Sequence, residues 1–117
     1  MVLESPSNFL TRFKNTVSEK GLTILNRDVN NQSLRKLKIP PLVRKQIILN
    51  LEVKNYCKNP MTDSDGSPGE VWIFGHKYEN KTIYIKLKLD AEAKCLSFHL
   101  AEGEMHFPYE KMPNNTP

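Results

Sequence analysis

Between Thr82 and Leu89 apolar and polar residues alternate strictly. Ile83, Ile85, Leu87 and Leu89 fall on one side of an extended chain, and Tyr84, Lys86 and Lys88 on the other. "KTIYIKLKLD" is therefore expected to be a β-strand with a core face and an open face. "EVWIFGHKY" and "KCLSFHLA" read as its neighbours, joined by turns at "YENK" and "DAEA", which makes an antiparallel meander. The first half of the chain has helical spacing instead. Phe9, Leu10, Phe13 and Val17 form one stripe in "SPSNFLTRFKNTVSEKG", with Ser7 as the candidate N-cap and Gly21 as the stop. A short strand, "LTILNR", follows, and then a short helix or helical turn in "NNQSLRKLKI" that ends before Pro40. Pro41 suits the first turn of a third helix, packed through Leu42, Val43, Ile47, Ile48 and Leu51. "KNPMTDSDGSPGE" reads as a loop from Lys58 to about Gly69. "EGEMHFPYEKMPNNTP" has weak periodicity, and residues 112–117 are expected to be a disordered tail.

This order of elements predicts an α+β fold: one domain over residues 1–117, with N-terminal helices packed on one face of a small antiparallel sheet. The other sheet face is left for water or a ligand. If the aliphatic residues of all three strands point to the helices, that open face collects Glu70, Trp72, Tyr84, Lys86, Lys88, Ser97 and His99. Gly75 is the position where a bulge would break the alternation.

A face of this kind suits RNA. Lysines neutralise phosphate, and aromatic rings offer stacking surfaces to bases. Histidine moves protons near neutral pH. The fitting reaction is phosphodiester cleavage without a metal, in which the RNA 2′-hydroxyl attacks its own phosphorus. Each residue also has an ordinary reading. His99 can be a surface histidine, Lys86 and Lys88 solubilising charges, Trp72 and Tyr84 the cover of an apolar patch, and Glu70 a cross-strand ion-pair partner. "DSDG" resembles the start of a calcium loop but lacks the later ligands.

Charge adds to this picture. Residues 1–58 hold eleven Lys/Arg against four Asp/Glu, and residues 59–117 hold six against nine. A basic first half fits an anionic partner, although solvated helix faces would give the same count. Cys57 and Cys95 lie in different elements without a Cys/His cluster, so two free thiols and no metal site are expected. His76, His99 and His106 are spread through the second half. No apolar run approaches the roughly 20 residues of a membrane span. The N-terminus lacks a signal-peptide pattern, so a cytoplasmic protein without a membrane partner is expected.

The segments "NYCKNPM", "GEVWIFG", "TIYIKLKL" and "CLSFHLAE", together with the order of elements, resemble the MqsR-type toxins of bacterial type II toxin–antitoxin modules, within the wider RelE-like group. The resemblance covers roughly residues 8–101. It implies a helix-backed antiparallel sheet, metal-independent cleavage of mRNA with no cofactor, and neutralisation by a cognate antitoxin that is often a helix-turn-helix DNA-binding repressor. By position it implies roles for Lys58 in "NYCKNPM", for Tyr84 in "IYIK" and for His99 in "LSFHL", where the better-known members carry lysine. Those members have a glutamine in the strand that is "GEVWIFG" here, whereas in this chain Glu70 or Val71 stands nearest. The combined expectation is a catalytic set of His99, Tyr84, Lys58 and Lys86, with Trp72, Lys88, Glu70 and Ser97 contacting RNA. A non-catalytic RNA- or DNA-binding module and a protein-interaction domain are the competing readings of the same face.

Overall fold

The computed structural model describes residues 5–25, 27–61 and 66–109, the side chains of 59–61 excepted. The expected tail at 112–117 and the "TDSD" part of the expected loop lie outside these residues. Among the described residues, three α-helices in the N-terminal half pack with a five-stranded sheet whose first strand lies between the first two helices, an α+β arrangement. Helix α1 (Pro6–Lys20) is capped by Ser5 and not by Ser7. The Ser5 hydroxyl accepts the Asn8 N–H at 3.1 Å, and Pro6 takes the first helical position, where no N–H is needed. Gly21 ends the helix at φ 87°, its N–H donating to the Val17 carbonyl. After β1 (Leu22–Ile24) come α2 (Asp28–Leu37) and α3 (Pro41–Leu49). Val43, Ile47, Ile48 and Leu51 pack into the core, but Leu42 does not. It sits in the first turn of α3 and is 67% exposed.

The strand order is β1-β5-β4-β3-β2, with β1 parallel to β5 and every other pair antiparallel. Strands β3 (Glu70–Tyr78), β4 (Lys81–Leu89) and β5 (Ala93–Leu100) form the expected meander. The residues expected to open a loop at Lys58 instead belong to an edge strand, β2 (Tyr56–Met61). It pairs with β3 through two register shifts. An irregular edge is the place where Pro60 is tolerated, because it has no N–H to give.

The face of β3 is the reverse of that expected. Trp72 pairs with Leu87 and Phe74 with Ile85, so both aromatic rings point to the helices. Phe9 of α1 stacks on Trp72 at 5.1 Å between centroids and lies 6.1 Å from Phe74, while Tyr56 tilts against Trp72 at 5.7 Å. Trp72 is 0% exposed. Its indole N–H reaches the Glu70 carboxylate at 3.4 Å, which also pairs with Arg12 at 2.8 Å. Val71 and Ile73, the aliphatic residues assigned to the core, face the other way and are buried there as well. The larger aromatic area goes to the helices, since burial scales with apolar surface.

Strand β5 breaks alternation once. Lys86 pairs with Ser97, but the next residue, Leu87, pairs with Cys95, which leaves Leu96 as a bulge. Cys95 therefore turns into the core rather than onto the open face. Burial pushes its thiol up to about 12, so it stays protonated. Both cysteines are free thiols. Gly75, the anticipated bulge, sits in regular register opposite Tyr84.

Beyond Cys95, strand β1 no longer covers the outer edge of β5, and α2 takes over with side chains. The Asn30 carboxamide accepts the Phe98 N–H at 3.0 Å and donates to the carbonyls of Leu25 at 3.2 Å and Leu96 at 3.5 Å. The Ser33 hydroxyl accepts the Leu100 N–H at 3.0 Å. Asn30 is completely buried, so Asn30→Ala strands backbone groups that water cannot reach. The expected cost is about 2–3 kcal/mol, or a fall in Tm on the order of 10 °C. Thermal unfolding followed by circular dichroism checks this, and an unchanged Tm would show that these bonds are not what holds α2 to β5.

Candidate active site

The open face is built in transverse rows by the strand register. One row runs Lys58, Ile73, Lys86, Ser97 across β2, β3, β4 and β5. The next runs Gly75, Tyr84, His99. Tyr84 and His99 stack with centroids 5.1 Å apart and planes 16° apart. The two rows floor a cleft of about 790 Å³, walled by Cys57 of β2, by Val29 at the start of α2 and by the segment 101–106. Lys58, Tyr84, Lys86, Ser97 and His99 all line it.

Three other residues expected on this face are not in the cleft. Trp72 and Glu70 lie on the helix side of the sheet, as described above. Lys88 faces the open side one row beyond Lys86, but it is 3% exposed and its ammonium donates to the Ser67 hydroxyl. A lysine held in this way braces the approach to β3 and does not project into the cleft. Strand β3 gives the cleft floor Ile73 and no polar side chain.

The chemistry of the floor follows from its surroundings. Burial, assisted by the nearby Cys57, raises the Tyr84 phenol above its ordinary pKa, so it remains a proton-bearing donor through neutral pH. The His99 Nδ1 lies 2.9 Å from the Leu100 carbonyl. A carbonyl only accepts, so Nδ1 carries the hydrogen and Nε2 is the nitrogen that gains or loses a proton. Among the described residues neither Lys58 nor Lys86 is paired with a carboxylate. Their charges remain available to an anion. His76 is half-buried on the helix side, where burial and Lys54 lower its pKa.

Sequence periodicity missed the wall formed by residues 101–106. After β5 the chain folds back over the open face, and Met105 and Phe107 settle on Gly75. A Cβ at position 75 would meet Phe107 Cζ at 2.5 Å and Met105 Sδ at 3.0 Å. Only glycine leaves room for them, and this is the structural use of Gly75. Tyr109 then packs on Tyr56 at 5.4 Å. Glu102, Glu104 and His106 thereby reach the cleft, and Glu104, Met105 and His106 also line a second hollow beside Lys77 and Thr82. The only available signal was Gly75 itself, a glycine inside a regular strand.

Among the described residues no three His, Cys, Asp or Glu side chains gather as a metal site, and no helix is long and apolar enough to cross a membrane. Residues 5–100 match the family model described as "Motility quorum-sensing regulator, toxin of MqsA". Comparisons with curated proteins and with solved structures find no match.

Proposed function

The chain belongs to the MqsR toxin family, the toxin side of a toxin–antitoxin pair, and from that premise we propose that it is an endoribonuclease that cuts mRNA without a metal. The observation that carries the reading is the convergence of Lys58, Tyr84, Lys86 and His99, from three strands, on one cleft. In the proposed reaction the 2′-oxygen bonds to phosphorus and the bond from phosphorus to the 5′-oxygen breaks. A base takes the 2′-hydroxyl proton, and the products are a 2′,3′-cyclic phosphate and a 5′-hydroxyl. Lys58 and Lys86 neutralise the phosphorane, Tyr84 donates a hydrogen bond to it, and the His99 Nε2 proton goes to the leaving 5′-oxygen. Ser97, beside Lys86, offers a hydroxyl to the substrate. Its partner is an antitoxin, read here as a helix-turn-helix DNA-binding protein, and it acts in the cytoplasm, where mRNA is found.

Purified protein is expected to cut single-stranded RNA in the presence of EDTA and to leave cyclic phosphate ends. Loss of cutting on chelation, or 3′-hydroxyl ends, would overturn the mechanism. RNA that is bound in a salt-dependent way but left whole would mark a binding module instead. Expression of the chain alone should arrest bacterial growth, and co-expression of its antitoxin should restore it.

A further inference from the structure

Cleavage through the 2′-hydroxyl needs two proton-transfer groups, one to take a proton and one to give it. The floor of the cleft is rich in donors and poor in bases. Lys58 and Lys86 are assigned to the phosphate, Tyr84 keeps its phenolic proton, and His99 is committed to the leaving oxygen. The opposite wall supplies what is missing. Its chemistry-bearing side chains are Glu102, Glu104 and His106. A base works best when its pKa lies near the working pH, and imidazole meets that condition where an exposed carboxylate does not.

The position of this wall is built into the fold. The residues on either side of His106, Met105 and Phe107, rest on Gly75, in the same row as Tyr84 and His99. Farther along, Tyr109 is held by Tyr56. The whole wall lies beyond the stretch that matches the family model, which ends at residue 100.

We infer that His106 is the second catalytic residue of the cleft, its neutral imidazole removing the 2′-hydroxyl proton while His99 protonates the 5′-oxygen. This rests on the endoribonuclease reading. The charged and titratable groups around it are Cys57 and Lys58 from β2, Tyr84 and Lys86 from β4, His99 from β5, Glu102 and Glu104 from the wall itself, and Lys77 of β3 on the far side.

The test is the pH profile of kcat/KM on an RNA oligonucleotide, measured with the full chain. Wild type should give a bell. Its acid limb reports His106, which must be neutral, and its alkaline limb reports His99, which must be charged. His106→Ala and His106→Gln should each cut at least about 100-fold more slowly and lose the acid limb, with the Tm of wild type, since His106 is exposed. A substrate with sulfur in place of the 5′-oxygen needs no proton on its leaving group. It should restore cutting by His99→Ala and leave His106→Ala slow. If either His106 variant cuts within a few-fold of wild type, or keeps the acid limb, His106 is not the base. Rescue of His106→Ala by the sulfur substrate would likewise remove it from that role. A wild-type chain that leaves RNA intact overturns the endoribonuclease reading, and this inference with it.

Discussion

His99→Ala is expected to slow RNA cleavage by at least about 100-fold while the protein stays folded. Positioned proton transfer contributes roughly 10²–10⁴-fold, which is about 3–5 kcal/mol of barrier. Against this, the folded state loses the stack on Tyr84 and a bond to the adjacent Leu100 carbonyl. A stack of this kind is worth about 0.5–1.5 kcal/mol, so the Tm should fall by only a few degrees. His99→Lys should keep more activity than His99→Ala, because lysine still offers a charged donor. Tyr84→Phe separates two roles of the tyrosine. A small loss means that the ring only supports His99, and a loss as large as that of His99→Ala means that the hydroxyl acts on the phosphate. Single-turnover cleavage of a short RNA, alongside a melting curve for each variant, decides among these. A His99→Ala protein that cuts at the wild-type rate removes His99 from the mechanism and leaves the cleft as a binding surface.

Trp72→Ala should show the opposite behaviour. The ring is completely buried among Phe9, Phe74 and Tyr56. Truncating a large buried aromatic residue costs about 3–5 kcal/mol, a large part of the roughly 5–15 kcal/mol that holds a domain together. Denaturant titration should show that loss, with RNA affinity per folded molecule unchanged. The chain has one tryptophan, so its fluorescence reports this site alone. RNA should leave the emission unaltered, and unfolding should shift it to the red. An emission change on RNA binding to the native protein would place Trp72 at the RNA interface after all.

These two residues show what could be read from the chain. Strand β4 was legible because one of its faces is aliphatic and the other is not, which put Tyr84 and Lys86 correctly on the open side. Strand β3 was not, because Val71, Trp72, Ile73 and Phe74 are all apolar and all buried. A two-residue period cannot say which face of such a strand meets the helices. The answer lay in a partner some sixty positions away, the Phe9 ring of α1. In β5 the period held for Ser97 and His99 but failed at Cys95, across the Leu96 bulge. Strand β2 was hidden by Asn59 and Pro60, which read as turn-formers. The wall at 101–106 has no period at all, because what fixes it is the space above Gly75. Of the cleft, then, the residues that β4 and β5 give to the floor were visible, and Ile73 and the wall were not.

The parallel pairing of β1 with β5 also orders events during synthesis. Leu22, Thr23 and Ile24 wait for Ala93, Lys94 and Cys95, and Asn30 waits for Phe98, 68 positions later. Contacts between distant parts of a chain form late, because the loop between them must first be closed. The N-terminal helices leave the ribosome long before the strand they serve, and residues 101–106, which finish the cleft, follow that strand. A nascent chain that stops short of β5 has Tyr84 without His99 and a floor without a wall. On the proposed reading, the cleavage site cannot assemble on a nascent chain before residues 93–106 have left the ribosome.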